Sequence, residues 1–197
     1  MFTGIVDKTV PVTAAEDHAG GRRLTLACGY DDLAHGESVA VNGCCLTVSD
    51  YDDQVAEFDV VAETLDKTNL GQLAVGDPVH VERSLKLDAR IDGHFVQGHV
   101  DAQAEVTGKV DDGEQWRLRL KVPGDLAKFL IPKGSVTLDG TSLTIASLDG
   151  DEFEVALIPT TLDKTHLGRR AVGDRLNFEA DMMTKTIVHR LEQMQTA

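Results

Sequence analysis

The chain has few cysteines and few basic residues, and each shortage excludes a class of protein. The three cysteines, Cys28, Cys44 and Cys45, form an odd set whose two sequence neighbours are badly placed to bridge each other. This set indicates a reducing compartment, not a disulfide-linked secreted domain. Lys and Arg number 19 against 33 Asp and Glu, so the net charge of −14 repels nucleic-acid phosphates. We expect no nucleic-acid partner.

Long apolar runs and the usual phosphate-binding and metal-binding patterns are also missing. No uninterrupted stretch approaches the ~18 apolar residues needed to span a bilayer, and the opening MFTGIVDKTV has no basic segment followed by an apolar one. We therefore expect a cytoplasmic protein without a membrane partner. The sequence contains no GxGxxG, GxxxxGK, CxxC or HExxH pattern, which argues against a dinucleotide cofactor and a metal site.

The sequence does contain an internal repeat. VNGCCLTV at 41–48 matches LDGTSLTI at 138–145 at an offset of 97 residues. Nearer the start the offset is 94, and it aligns FTGIVD at 2–7 with VQGHVD at 96–101. Internal repeats indicate the architecture of a chain before its elements are assigned. Two homologous halves therefore cover nearly the whole chain.

Each half has the pattern of short β-strands. Apolar residues alternate with polar ones, as at Val39 and Val41, and this period of two is typical of half-buried strands. Roughly six such strands in each half predict a small Greek-key barrel, because closure removes exposed sheet edges. The predicted fold is all-β: two homologous six-stranded Greek-key β-barrels in tandem, at 1–90 and 91–183, plus a C-terminal α-helix at 184–197.

The C-terminal segment has a helical period instead. Ile187, Leu191 and Met194 are spaced by four and three residues, which places them on one helix face together with Val188. The helix is too short to be stable alone, so its apolar face must dock on something. A pairing helix in a homo-oligomer and a helix folded back on its own barrel both fit the pattern.

Cysteine and histidine supply the first candidates for chemistry. Cys44 and Cys45 are adjacent on a predicted strand, so one packs in the barrel while the other faces a pocket. Cys45 is either a nucleophile or substrate contact, or a small apolar residue as we expect for Cys28. His94 and His99 in GHFVQGHVD also point to opposite faces and do not chelate one metal together. Each is either a satisfied structural imidazole or a group that acts on a ligand.

Several short motifs, taken in their order along the chain, resemble those of one known family. They are MFTGIV at 1–6, SVAVNGCCLTV at 38–48, TNLG at 68–71, VGDPVHVER at 75–83, GHFVQGHVD at 93–101, DGTSLT at 139–144 and IPTTL at 158–162. Each is weak alone, but together they closely resemble the alpha-chain type of riboflavin synthase, a family with a duplicated lumazine-binding barrel. The resemblance covers almost the full length of the chain.

The resemblance implies a transferase that needs no cofactor. Two molecules of 6,7-dimethyl-8-ribityllumazine exchange a four-carbon unit, which yields riboflavin and 5-amino-6-(D-ribitylamino)uracil. The resemblance also implies a homotrimer in which the N-terminal barrel of one chain faces the C-terminal barrel of its neighbour, with the helices at the centre. It leaves open whether lumazine synthase associates with the protein. Because donor and acceptor are the same compound, two similar pockets of unequal reactivity are expected.

The resemblance assigns residues to both pockets by position. The N-terminal pocket takes Phe2, Gly4, Ile5, Val6, Ser38, Cys45, Leu46, Thr47 and the stretch from Asp59 through Glu63 to Thr64. The C-terminal pocket takes Gly98, His99, Val100, Lys133, Ser142, Leu143, Thr144 and the stretch 156–161, which includes Ile158, Pro159 and Thr161. Four residues are catalytic candidates: His99 as the base for the acidic methyl group, Cys45 or water as the nucleophile, and Ser38 and Asp181 as proton carriers. The others bind substrate.

Two other interpretations stay open. One is a non-catalytic lumazine- or flavin-binding protein of the same lineage, and the other is a structural trimer of interaction barrels. Binders of this lineage tend to lose the paired cysteines and second-half motifs, whereas Cys45, Ser142 and GHFVQGHVD are intact here. This favours the enzyme. The pattern departs from the family at 91–93, which reads Ile-Asp-Gly in place of Leu-Gly-Gly, and at Thr160, the counterpart of Glu63.

Overall fold

The computed structural model describes residues 1–113 and 115–195, and its strands form two closed six-stranded antiparallel barrels. The first barrel contains β1 (Lys8–His18), β2 (Gly21–Leu26), β3 (Ser38–Val41), β4 (Cys44–Tyr51), β5 (Ala56–Val61) and β6 (Pro78–Arg83). The second contains β7 (Ala102–Asp111), β8 (Trp116–Lys121), β9 (Ser135–Leu138), β10 (Thr141–Asp149), β11 (Glu152–Ala156) and β12 (Arg175–Ala180). Around each ring the first strand is followed by the second, fifth, fourth, third and sixth. The predicted tandem-barrel fold is confirmed.

Short helices close the gap between the fifth and sixth strand of each barrel. They are α1 (Ala62–Lys67) with a 3-10 turn at Asn69–Gln72, and α2 (Pro159–Lys164) with a 3-10 turn at Leu167–Arg169. A further 3-10 turn spans Gly124–Phe129, and α3 (Met182–Gln195) ends the described chain. The C-terminal helix therefore begins two residues before the predicted start, and residues 196 and 197 of that prediction lie outside the described part.

Each barrel is filled by its own cluster of aliphatic side chains. The alternating residues that predicted the strands, such as Val39 and Val41, are fully buried. Phe58 fills the first barrel, and in the second Phe153 and Phe178 pack with ring centroids 6.2 Å apart. A barrel of this size has just enough interior volume for its own side chains. Ligand sites must therefore lie at its rim.

The two barrels meet at the tips of the repeated hairpins. Asn42 and Gly43 have φ angles of 44° and 75°, and Asp139 and Gly140 have 43° and 80°. Two successive positive φ angles are typical of a type I′ turn, which Asn-Gly and Asp-Gly pairs favour. A Cβ on Gly43 would lie 2.5 Å from the backbone nitrogen of Gly140. The two tips are thus packed backbone against backbone, with equivalent residues of the two repeats facing each other.

A buried polar network around these tips contains two equivalent hydrogen bonds, one in each direction between the halves. The amide of Asn69 donates to Oδ1 of Asn177 at 2.7 Å, and the amide of His166 donates to Nε2 of His80 at 3.0 Å. His166 is the repeat counterpart of Asn69, and Asn177 is that of His80. Amide and imidazole side chains therefore play equivalent parts, and both satisfy backbone donors that burial would otherwise leave unpaired.

One charged pair breaks this symmetry. Asp139 is fully buried and accepts from Arg170 at 2.6 Å, whereas their repeat counterparts are the neutral residues Asn42 and Leu73. Burial opposes ionisation of Asp139, but the imidazole of His166, 3.7 Å away, and the charge of Arg170 outweigh it and lower the pKa of that carboxyl. The second half thus carries a buried ion pair at a position where the first half carries none.

The apolar face of α3 is left open. Met183, Ile187, Leu191 and Met194 each expose between 53% and 64% of their surface. The helix is tied to its own barrel by an ion pair between Lys128 and Glu192 at 2.7 Å. Folding back of this face onto its own barrel, one of the two arrangements left open above, is not what the structure contains. None of the helices in the described ranges is long and apolar enough to cross a membrane.

Candidate functional site

Two short segments cross between the barrels. We call residues 2–6 the first arm and residues 96–100 the second arm. They pair as an antiparallel bridge, because the amide of Phe2 donates to the carbonyl of Val96 at 2.8 Å and the reverse bond is 3.1 Å long. Phe2 and Val96 are buried together beside Cys45. Beyond this bridge each arm runs onto the rim of the opposite barrel.

The second arm completes a cavity of about 210 Å³ on the first barrel, which we call the Cys45 site. Its lining consists of Cys44, Cys45, Glu63, Thr64, Lys67, Thr68, Gly98, His99 and Val100. The amide of Cys45 donates to the carbonyl of Gly98 at 2.8 Å, so the arm continues the ladder beside β4. Gly98 has φ +77°, and a Cβ there would lie 2.6 Å from Cβ of Cys45. Only glycine fits this approach.

The two adjacent cysteines face in opposite directions, as predicted. Cys44 is 6% exposed and belongs to the core of the first barrel, and burial raises the pKa of its thiol to about 12. Cys28 is also buried, with its pKa raised to about 11 for the same reason. Cys45 is half-buried and lies on the other face of β4. Among the three thiols it alone combines partial exposure with a place at the cavity.

Polar side chains from α1 form the mouth of the Cys45 site. Glu63 lies in the first turn of this helix and accepts from Nζ of Lys67 at 2.8 Å. This hydrogen bond lowers the pKa of the Glu63 carboxyl, so it is ionised at neutral pH. Thr64 lines the cavity between them. The site therefore offers a thiol at its floor and a pair of opposite charges at its rim.

The first arm completes the equivalent cavity on the second barrel, which we call the Ser142 site. It measures about 370 Å³. Its lining consists of Gly4, Ile5, Val6, Asp92, Gly93, Ser135, Thr141, Ser142, Leu143, Thr144, Ile158, Thr160, Thr161, Lys164 and Thr165. The amide of Ser142 donates to the carbonyl of Gly4 at 2.8 Å, and a Cβ on Gly4 would lie 2.6 Å from Cβ of Ser142. The backbone geometry of the Cys45 site is reproduced here with a hydroxyl in place of the thiol.

An imidazole lies against that hydroxyl. Nδ1 of His94 is 2.7 Å from Oγ of Ser142, and Nε2 is 3.3 Å from the hydroxyl of Thr137. Burial lowers the pKa of His94, and the charge of Asp181 only partly opposes this. His94 is therefore neutral at pH 7 and can exchange a proton with Ser142. Sequence analysis left its role open, and the structure places it at the second site.

The assignment of the arms to pockets is wrong in both halves. Gly4, Ile5 and Val6 were expected on the N-terminal barrel but line the Ser142 site, while Gly98, His99 and Val100 line the Cys45 site. The repeat shows that the arms are equivalent to each other, which is correct. It carries no information on which barrel an arm packs against, because the bonds from Cys45 to Gly98 and from Ser142 to Gly4 are long-range contacts.

The structure brings most of the other predicted residues to one site or the other. The Cys45 site gathers Cys45, Glu63, Thr64, Gly98, His99 and Val100. The Ser142 site gathers Gly4, Ile5, Val6, Ser142, Leu143, Thr144, Ile158 and Thr161. These groupings concern position alone, and the catalytic and binding roles stay predictions.

Eight predicted residues lie outside both linings. They are Phe2, Ser38, Leu46, Thr47, Asp59, Lys133, Pro159 and Asp181. Leu46 follows the alternation of β4 into the core, and Asp59 pairs with Arg23 at 2.8 Å. Ser38 and Thr47 are register partners between β3 and β4. Asp181 accepts from the amide of Met183 at 2.7 Å and so caps α3.

The structure also shows where the other three of these eight residues lie. Phe2 is buried beneath Cys45, and Pro159 is the first residue of α2, where a missing N–H costs nothing. Lys133 is exposed and has a φ angle of 65°.

Sequence analysis missed several residues that line the cavities. Ser135 and Lys164 belong to the Ser142 site, and Lys67 belongs to the Cys45 site. The repeat contained a signal for them, because Ser135 is the counterpart of the predicted Ser38 and Lys164 that of Lys67. Gly93 lines the Ser142 site as well, and a Cβ on it would lie 2.1 Å from the carbonyl oxygen of Thr3.

Comparison with known proteins agrees with this architecture. A model of the lumazine binding domain matches residues 3–84 and 97–181. A riboflavin synthase of Mycobacterium tuberculosis strain H37Rv is 44% identical over 95% of this chain and 96% of its own length. That of Escherichia coli strain K12 is 38% identical over 100% of this chain and 94% of its own length.

Solved structures show the same fold. LumP in complex with riboflavin has a TM-score of 0.84 at 22% identity, covering 91% of this chain and 99% of that chain. LumP in complex with 6,7-dimethyl-8-(1'-D-ribityl) lumazine has a TM-score of 0.81 at 23% identity, with the same coverage. With two lumazine-binding domains and near-full-length relatives of this kind, the chain belongs to the riboflavin synthase family.

Proposed function

We propose that the chain catalyses the dismutation of two molecules of 6,7-dimethyl-8-ribityllumazine to riboflavin and 5-amino-6-(D-ribitylamino)uracil. The observation that carries this proposal is the pair of equivalent cavities with unequal chemistry. Each is built from the rim of one barrel and an arm of the other half, but one presents the thiol of Cys45 and the other presents Ser142 beside His94. A reaction between two copies of one compound needs this combination of likeness and difference.

The cavities suit a polar heterocycle with a polyol chain. Backbone groups of the arms and of β4 and β10 offer a fixed row of donors and acceptors for a pteridine ring. Hydroxyl and charged side chains at the mouths suit the ribityl chain: Glu63 and Lys67 at one site, and Thr160 and Lys164 at the other. The two mouths thus share a lysine on the short helix, and Glu63 of the first is replaced by Thr160 in the second.

For the mechanism, we assign most of the acceleration to orientation. Holding two rings face to face is worth roughly 7–11 kcal/mol of the barrier. A base then assists ionisation of the position-7 methyl group of one lumazine, and we assign this to His99, which lines the Cys45 site. The thiol of Cys45, or water, adds to the donor ring. Ser38 and Asp181, which lie outside both linings, complete the proposal as proton carriers.

The proposal includes a homotrimer in which α3 pairs with its copies. Its support is the exposed apolar face of Met183, Ile187, Leu191 and Met194, since a helix this short is stable only when that face is covered. The trimer would bring the Cys45 site of one chain to the Ser142 site of its neighbour. Sedimentation equilibrium tests this arrangement: three chains are expected, and a monomer at micromolar concentration contradicts it. A cytoplasmic location and the absence of a metal or cofactor belong to the same proposal.

Formation of the product decides between the enzyme and a binder of the same lineage. Incubating the purified protein with the lumazine is expected to produce riboflavin absorbance, and activity should survive exhaustive chelation and dialysis. A binding protein would only shift the spectrum of the bound lumazine. If no riboflavin forms, the catalytic proposal fails, and if no pteridine or flavin binds at all, the cavities have another use.

A further inference from the structure

Each arm is held by one buried carboxylate. That carboxylate lies on the barrel opposite to the one whose cavity the arm completes. Glu179 on β12 of the second barrel accepts from the amides of Gln97, Gly98 and His99 at 2.7, 2.9 and 2.9 Å. This residue is only 3% exposed. The same stretch of arm lines the Cys45 site on the first barrel. A carboxylate of one barrel therefore holds part of the ligand site of the other.

The first half contains the mirror arrangement. Glu82 on β6 is 6% exposed and accepts from the amide and the hydroxyl of Thr3 at 2.6 and 2.9 Å, and from the amide of Gly4 at 3.0 Å. Gly4 in turn lies against Ser142 on the second barrel. Glu82 and Glu179 are repeat counterparts, 97 residues apart. The same device is thus used twice, in opposite directions.

We propose that Glu82 and Glu179 are crossed positioning residues: Glu179 sets the backbone of the Cys45 site, and Glu82 sets that of the Ser142 site. Each of these carboxyl groups accepts three hydrogen bonds from its arm, and a buried donor that loses its acceptor is costly, so the three bonds together fix the backbone of that segment. Neither carboxylate touches the cavities. Each acts through Gly98 or Gly4, whose carbonyls accept from Cys45 and Ser142.

The crossing gives this proposal a consequence that a purely structural role lacks. A carboxylate that only stabilised its own barrel would affect the site on that barrel, whereas a positioning carboxylate affects the site on the opposite barrel. The meaning of the result for catalysis rests on the proposed function, but the geometric claim does not. It can therefore be tested on the full chain without substrate.

The reactivity of the Cys45 thiol reports on its site. Alkylation of Cys45 by iodoacetamide is measured by mass spectrometry in the wild type, in Glu179→Gln and in Glu82→Gln, with buried Cys28 and Cys44 as internal controls for unfolding. Glutamine presents an N–H where the arm's own amides need an acceptor, so the arm loosens. Because a buried acceptor is lost, we expect the alkylation rate of Cys45 to change by about fivefold in Glu179→Gln. In Glu82→Gln we expect this rate to change little.

The reciprocal experiment moves the thiol to the second site. In a chain carrying Cys45→Ser and Ser142→Cys, the introduced thiol is expected to respond to Glu82→Gln and not to Glu179→Gln. Equal responses to both carboxylates, a response only within the same barrel, or no response at all overturns the proposal. If either variant does not fold, Thr3→Val, which removes one bond to Glu82, or Glu179→Asp, which withdraws the carboxylate, takes its place.

A separate activity measurement keeps the two claims distinct. Wild-type protein that makes no riboflavin refutes the proposed function and leaves the crossed pattern of thiol rates intact. Active protein with uncrossed rates refutes the positioning role alone.

Discussion

The two halves of the molecule share one backbone design and differ in the chemistry placed on it. Both barrels use the same strand order, the same positive-φ hairpin tip and the same carboxylate-held arm. Two of the differences stand out: Cys45 against Ser142 at the sites, and Asn42 against Asp139 at the interface. Duplication has thus preserved what positions the sites, and divergence has acted on what reacts in them.

The largest expected effect comes from breaking the contact that both halves share equally. Gly43→Ala places a Cβ 2.5 Å from the backbone nitrogen of Gly140, where no flexible side chain can move away. We expect this change to lower the free energy of unfolding by about 4 kcal/mol, measured by urea denaturation.

The matched control is Gly76→Ala. Gly76 also has a positive φ angle, +95°, but a Cβ there meets nothing within 4 Å. This variant carries only the backbone strain of an alanine at positive φ, about 1 kcal/mol. Equal losses in the two variants would mean that the apposed tips do not hold the barrels together.

The next effect tests the charged pair that distinguishes the second half. Arg170→Leu copies Leu73 of the first half and leaves Asp139 buried without its cation, which is expected to cost about 3 kcal/mol of unfolding free energy. Adding Asp139→Asn copies Asn42 and should restore most of that loss, because the first half is already satisfied by this neutral pair. A double variant no more stable than the single one would contradict the equivalence of the two tips.

The third effect concerns reactivity. Cys45→Ser makes the first site resemble the second, so we expect turnover to fall by about 100-fold while lumazine binding changes much less. The control is Cys28→Ala, whose thiol packs in the core of the same barrel and should lower stability without a comparable loss of kcat. Steady-state kinetics of both variants check this, and an unchanged kcat in Cys45→Ser removes the thiol from the mechanism.

These comparisons also show how far sequence pattern reaches. Alternation with a period of two was enough for the barrels and for the opposite faces of Cys44 and Cys45. The same alternation places the side chain of Leu46 in the core with Cys44, and its binding role stays a prediction. The ion pair of Asp59 with Arg23 depends on the register of β2 against β5, which local pattern does not contain.

The crossing of the arms lies beyond local pattern for a related reason. Gly4 and Gly98 occupy equivalent positions whether each arm stays on its own barrel or passes to the other, so the repeat is the same in both cases. The bonds from Cys45 to Gly98 and from Ser142 to Gly4 distinguish the two arrangements, and the partners of each are far apart in the sequence. Likeness within a sequence reveals which residues are equivalent, while packing decides which residues meet.

The smallest expected effect compares the two arm-holding carboxylates through their dependence on pH. Burial raises the pKa of both Glu82 and Glu179 from 4.5 to about 7, against the opposing effect of the arm amides; Asp7 adds to the shift at Glu82, and Asp101 adds to it at Glu179. A folded-state pKa above the unfolded value means that the folded protein holds the proton more tightly. The stabilisation is therefore complete below about pH 4.5 and is lost as the pH rises to about 7.

Glu82→Gln and Glu179→Gln should each flatten this part of the stability profile. Between these two pH values the wild type is expected to lose about 1–3 kcal/mol more unfolding free energy than either variant, as urea denaturation at each pH would show. Because both carboxyl groups are buried, accept three hydrogen bonds from an arm and have a pKa raised to about 7, the two differences should be alike. A flattening in only one variant would mean that the arms are held unequally, and that the asymmetry of the molecule extends from its reactive side chains to the device that positions them.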